Sequence, residues 1–331
     1  MPWKREDLNK VSESKIVKLD NNGFRSIPNL KNNKKLILLG GSTAFGHFST
    51  SNKTTIGSYL NNLTEFDVVN RNAPSWNSHQ EAIALFKYNN LEDVFASVSL
   101  SFNNDVNLTC RGSSRYSEMY HDFPENWNIL ADKVNDIRGS IQTQSNYRKL
   151  KNLLYRIFPN VYQFLVQVKL NSKIDPTQTE DYNVFSSCSD ETVEIVAQSF
   201  LSNQERMLRI SEAYGFKHFL IIQPNLNVHI GSLNKDTFGK KAGNFRKKVI
   251  QNVMKSAYCD KNACLDLSSV FDDRGLYLKR YDSIRHNSEL VKKWFDTGMF
   301  LDEGHFRDEG NEIVAKKIHA FLDSFNTADT D

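Results

Sequence analysis

With 331 residues, 39% of them hydrophobic and 24% charged, the chain is long enough for one large domain with insertions or two small ones, and too apolar to be globally disordered. Its 42 basic and 39 acidic residues leave a net charge of +3, which gives no electrostatic footprint for nucleic acid. No apolar run approaches the roughly 20 residues that span a bilayer.

The elements follow in chain order. Residues 1–33 read as an N-terminal extension. They lack the apolar stretch of a secretory leader, which makes the cytoplasm the default expectation. Lys34 to Leu39 is a short apolar run that ends in Gly40-Gly41, the pattern of a buried strand feeding a tight turn. Ile56, Tyr59, Leu60 and Leu63 then recur at helical spacing. Phe66 to Asn70 predicts a second strand, Ala82, Ile83 and Phe86 a second helix, and Val94 to Leu100 a third strand.

The segment from about 106 to 187 interrupts the alternation and is too long for a plain loop. Leu150, Leu153, Leu154, Ile157 and Phe158, then Val161, Phe164, Leu165 and Val168, predict two amphipathic helices broken near Pro159. We expect an inserted, mainly helical lid or subdomain. A helical pair packed away from any site fits the same pattern. Lys149, Lys151 and Arg156 also allow peripheral contact with a membrane surface.

The alternation resumes with a long helix opened by Val193, Val196, Ala197 and Phe200 and running to about Tyr214. Phe219 to Gln223 is a fourth strand, closed by Pro224. A basic helix covers about 240–257, where Lys240, Lys241, Arg246, Lys247 and Lys248 read as a solvated face. Ala263 to Leu267 is a weaker fifth strand. Ile313, Val314, Lys317, Ile318, Phe321 and Leu322 form the stripe of a last helix, with Asp308 as its expected N-cap. Strands alternating with helices in this way predict an α/β fold: a parallel sheet covered on both faces.

Ligands on such sheets bind beyond the carboxyl ends of the strands. Gly40 to Thr43, Asn70 to Ser75 and Ser101 to Asp105 each follow a predicted strand, so they should reach one rim. Ser42 sits in the first of these turns. Asp302-Glu303-Gly304-His305, just before the last helix, puts a carboxylate and an imidazole three residues apart. Nucleophile, base and orienting acid are the inventory of acyl transfer through a serine. His79, His121, His218, His229, His286 and His319 have no ligand spacing, so neither metal nor other cofactor is expected. The four cysteines, at 110, 188, 259 and 264, match no paired zinc-ligand pattern. We expect them as reduced thiols, although the 259–264 spacing can close a small loop.

These segments resemble the SGNH (GDSL-type) hydrolase superfamily over most of the chain outside the insertion. Gly40-Gly41-Ser42-Thr43-Ala44-Phe45-Gly46 resembles the first block, in the branch where the usual Asp before the serine is Gly. Asn70-Arg71-Asn72-Ala73-Pro74-Ser75 is similar to the second, Phe102-Asn103-Asn104-Asp105 to the third, and Asp302-Glu303-Gly304-His305 to the fifth. The resemblance implies a three-layer α/β/α sandwich with a flavodoxin-like sheet over residues 34–331. It implies Ser42 as nucleophile, His305 as general base and then acid, and Asp302 as the residue that fixes the imidazole.

It also implies an oxyanion hole from the backbone N–H groups of Ser42 and Asn72 and the amide of Asn104. Asn72 and Phe102 stand where glycine is usual. Asn104 is preferred to Asn103 because Asp105 keeps the Asn-Asp pair in register. Gly41, Trp76 and His47 are candidate substrate contacts. The implied activity is hydrolysis of small acyl esters, including O-acetyl groups on carbohydrate. Transfer of the acyl group to an alcohol uses the same triad. A binding module on this scaffold, with weak catalysis, is the alternative from another class.

Overall fold

A computed structural model describes residues 17–31, 33–88, 90–110, 189–229, 237–271, 299–301 and 304–326. The chain divides into Met1–Cys110 with Ser187–Asp331 on one hand and Arg111–Ser186 on the other. The second unit, and with it the expected lid, lies outside the described residues.

Five strands form one parallel sheet: β1 (Lys35–Gly40), β2 (Asp67–Asn72), β3 (Val94–Ser101), β4 (Lys217–Ile222) and β5 (Cys264–Asp266). The strand order is β2-β1-β3-β4-β5. That is the flavodoxin-like order, with its topological switch between β1 and β3. The helices are α1 (Ser42–Phe45), α2 (Ile56–Leu63), α3 (Ser78–Phe86), α4 (Asn103–Cys110), α5 (Asp190–Tyr214), α6 (Leu226–His229), α7 (Thr237–Met254), α8 (Ala257–Lys261) and α9 (Asp308–Asn326).

Side chains of a strand alternate between faces, and β1 shows how the layers arise. Leu36 and Leu38 pack into a core with Ile56 and Leu60 of α2 and with Val314, Ile318 and Leu322 of α9. Ile37 and Leu39 pack on the opposite face with Ala82 and Leu85 of α3 and Met207 of α5. The sheet is therefore sandwiched between α2 with α9 and α3 with α5, the three-layer arrangement expected.

Four details differ from the sequence expectation. Ile83 and Phe86 are 39% and 72% exposed, and α3 instead buries Glu81 and Leu85. Helical spacing marked the helix and one residue of its buried face, Ala82, whereas Glu81 is buried beside it against hydroxyl partners on the sheet. Arg246 is fully buried, unlike exposed Lys247 and Lys248 beside it; its guanidinium donates to Asn107 Oδ1 at 2.7 Å. Lys317 is exposed, and Ala315 takes its place in the apolar face of α9. Cys259 and Cys264 form a disulfide that ties α8 to the edge strand β5. The expectation of reduced thiols is overturned for this pair. Among the described residues, no helix is long and apolar enough to cross a membrane.

Candidate functional site

The site begins where β1 ends. Gly40 adopts φ 149°, and a Cβ there would meet the Leu100 carbonyl oxygen of β3 at 2.5 Å. Only glycine passes so close to the neighbouring strand in that conformation. The chain then turns into α1, with Ser42 at its first position and Gly46 closing it in the left-handed conformation.

The other half comes from the chain's far end. Phe300 and Phe306 form an antiparallel bridge, and both rings are buried in the core. The Leu301 amide donates to the His305 carbonyl at 2.8 Å, and the Arg307 amide to the Met299 carbonyl at 3.0 Å. This anchored loop carries His305, whose Nε2 lies 2.6 Å from Ser42 Oγ. Both side chains are half-buried. Asp302, the expected acid, lies outside the described residues.

A buried chain of hydrogen bonds holds the two halves together. Thr43 Oγ1 donates to the Gly304 carbonyl at 2.8 Å, and Gln223 Nε2 donates to Thr43 Oγ1 at 2.9 Å. Beside it, Asn225 Nδ2 donates to Asn103 Oδ1 at 2.8 Å. Ser42, Thr43, Asn103, Asn104, Asn107, Gln223, Gly304 and His305 line a cleft of about 280 Å³ at the carboxyl ends of β1, β3 and β4. Thr43 and Asn103 lie in segments expected at this rim without an assigned role, whereas Asn107, Gln223 and Gly304 were not singled out. Gln223 carried one signal, since it follows β4 directly and so had to reach the same rim.

Asn104 lines the cleft. Its Nδ2 donates to the Trp76 carbonyl at 2.7 Å, which leaves its second N–H for the cleft. Gly41 lies directly beneath: a Cβ there would meet Asn104 Nδ2 at 2.5 Å and the Trp76 carbonyl oxygen at 3.0 Å.

Asn72 does not take its place. It is fully buried, and its Nδ2 donates to the Leu38 carbonyl at 3.0 Å and to Asn70 Oδ1 at 3.1 Å. Asp67 and Ala73 donate their amides across to Lys34 and Gly40. Amides of a parallel strand alternate in direction, so the Asn72 amide points away from β1 and from Ser42. Asn72 therefore secures the end of the sheet. The left-handed residue of this loop is Ser75, at φ 65°. Phe102, also noted where glycine is usual, has φ 119° and is held by full burial against Phe200.

The remaining candidates divide. Trp76 packs its ring edge-on to Phe24 at 5.9 Å and against the core of α3, so its ring does not line the cleft. His47 is exposed, with its ring 4.9 Å from that of His305.

Behind Asn104 the sheet face is polar. Ser99 and Ser101 of β3 each donate to the Glu81 carboxyl at 2.7 Å. Burial, reinforced by nearby Asp105, pushes the Glu81 pKa up to about 8, so it is protonated at neutral pH. Burial also raises Asp105 to about 6, against hydrogen bonds from Ser78. Gln204 donates to Ser99 Oγ at 3.2 Å and meets His218 Nε2 at 3.1 Å, while His218 Nδ1 meets Ser97 Oγ at 2.8 Å. Burial lowers His218 to about 3 and keeps it neutral.

These shifts have a sign. A raised Glu81 contributes stability that is present below its unfolded value of 4.5 and lost as pH climbs to about 8. His218 has reached its full contribution by 6.5, and Asp105 is ionised above about 6. Between pH 6.5 and 8 Glu81 dominates, and the loss amounts to about 2 kcal/mol. Melting the wild type at pH 6.5 and 8.5 should show a fall of about 3 °C, most of it absent in Glu81→Gln. Equal falls in both proteins would refute the assignment.

No family model matches the chain, and no curated protein matches it. Among solved structures, a protein assigned to the lipolytic G-D-S-L family from Desulfitobacterium hafniense DCB-2 is 11% identical over 87% of this chain and 99% of that one, with a TM-score of 0.43. The acetyl xylan esterase AlAXEase is 10% identical over 86% of this chain and 98% of that one, at 0.41. Axe2, an acetylxylan esterase from Geobacillus stearothermophilus, is 9% identical over 87% and 94%, at 0.39. All three likenesses are loose, and the fold and site described above stand on this chain's own strand order and side-chain geometry.

Proposed function

We propose that the chain is a serine ester hydrolase of the SGNH type. The observation that carries this reading is the 2.6 Å contact between Ser42 Oγ and His305 Nε2 at the carboxyl rim of a parallel sheet. An imidazole at that distance can take the hydroxyl proton as Oγ attacks an ester carbonyl. The same nitrogen then returns the proton to the departing alcohol, leaving the acyl group on Ser42. Water repeats the sequence and releases the acid. The developing oxyanion would be met by the Ser42 backbone N–H, unpaired within the first turn of its helix, and by the free N–H of Asn104. Asp302, three residues before His305, is the acid we assign to hold the imidazole with its proton on Nδ1.

The cleft supports a small, polar-tolerant substrate. At about 280 Å³ it suits a short acyl group, and apart from His305 its lining offers hydroxyls, amides and backbone, without a formal charge. Amides and hydroxyls both donate and accept, which suits the carbonyl and ester oxygens of a short acyl ester. Small acyl esters, including O-acetyl groups on carbohydrate, are the class we assign. A fluorophosphonate probe followed by peptide mass spectrometry tests the nucleophile. Modification is expected at Ser42 alone. Folded protein that stays unmodified, or is modified at another serine, would sink the reading.

A further inference from the structure

Phe48 is out of keeping with its surroundings. It is 53% exposed, yet its backbone sits at φ 66°, in the left-handed region. For an aromatic residue that conformation is unfavourable by about 1–2 kcal/mol, and burial gives this ring little return. The loop does not wander into the strain, because it is tied on three sides. Arg25, itself buried, donates to the carbonyls of Gly46 at 2.5 Å and Ser51 at 3.0 Å. Asn311 Nδ2 donates to Ser49 Oγ at 2.9 Å, and the Thr50 amide donates to Asp308 Oδ1 at 3.1 Å. Buried Arg25 and Asn311, with half-buried Asp308, thus fix the loop that carries one exposed aromatic ring.

That ring lies beside the base. The Phe48 and His305 centroids are 5.5 Å apart, edge to face. His47 completes the group at 4.4 Å from Phe48 and 4.9 Å from His305. Neither His47 nor Phe48 lines the amide-rich cleft, whereas His305 does. The imidazole therefore borders both the acyl-sized cleft and an aromatic ledge outside it.

We propose that Phe48, with His47, binds the alcohol part of the ester and selects alcohols that present a flat, apolar ring face. This rests on the esterase reading. In acylation the Oγ–C bond forms as the Ser42 proton moves to Nε2. The C–O bond to the alcohol then breaks as Nε2 gives that proton to the leaving oxygen. The alcohol must therefore lie against the imidazole, while the carbonyl oxygen turns to Asn104. Among the described residues, the ledge borders the imidazole outside the cleft. An aryl ring and the C–H face of a sugar ring supply the same chemistry to it.

The test holds the acyl group constant. Acetates of ethanol, phenol and methyl glucopyranoside are compared in wild type, Phe48→Ala and Phe48→Trp, with Ser42→Ala as control. In Phe48→Ala the kcat/KM ratios of phenyl to ethyl acetate and of sugar to ethyl acetate should fall about tenfold. Phe48→Trp, which keeps a flat ring, should restore them. A fall confined to the phenyl or to the sugar ester assigns the ledge to that source. Stopped-flow traces should place the loss in acylation, with deacylation moving less than twofold because the alcohol has already left. Ratios that hold within twofold in Phe48→Ala, or acylation and deacylation that slow together, would overturn the ledge. Turnover that survives Ser42→Ala, or no serine-dependent turnover of any ester, would overturn the esterase reading itself.

Discussion

Ser42→Ala is expected to lower kcat/KM for 4-nitrophenyl acetate by about 10⁴-fold or more while leaving the fold intact. The size follows from the loss of the covalent route, since the remaining cleft can only orient an ester and polarise its carbonyl. The fold should survive because Ser42 Oγ is half-buried and its bond to His305 joins two loops that other contacts already secure. Thr43 to Gly304 and Gln223 to Thr43 remain. Circular dichroism and a melting curve unchanged within about 0.5 kcal/mol would accompany the lost turnover. A variant that kept its activity would remove Ser42 from the mechanism.

His305→Ala is expected to cost about as much, and the double variant Ser42→Ala/His305→Ala no more than either single change. Groups that act as one unit are not additive: a serine without its base is as inert as no serine. The anchoring of the loop makes this experiment clean. Phe300 and Phe306 stay buried whether or not position 305 carries a ring, so lost activity would report on chemistry and not on a collapsed loop. Fluorophosphonate modification of Ser42 should slow in parallel. If the two single costs multiplied in the double variant, the residues would be working independently and the pair would need another explanation.

The alternation of short apolar runs with helical stripes made the order of elements and the parallel sheet legible. The turn after β1 and the Asp-x-x-His segment pointed to the two halves of the site. Three features were not legible, each for a physical reason. The burial of Glu81 depends on hydroxyls of Ser99 and Ser101 that only strand register brings beneath it. Spacing within α3 cannot report that. The direction of the Asn72 amide depends on which strand lies beside β2, which motif order does not specify. Phe48 offers no signal in the sequence, because exposure and backbone conformation are absent from a string of letters.

Gly41 carries a last consequence, which concerns the order in which this sequence can change. Here any β-carbon would run into the Asn104 amide at 2.5 Å and the Trp76 carbonyl at 3.0 Å. Those two groups are themselves hydrogen-bonded to each other, so moving either one breaks that bond. An aspartate at 41 becomes tolerable only after the 73–76 loop has opened or Asn104 has turned, and a turned Asn104 surrenders its place in the cleft. Position 41 and Asn104 are therefore coupled: each narrows the set of neighbours the other can accept, and a side chain at 41 calls for a second change at 104 or in the 73–76 loop.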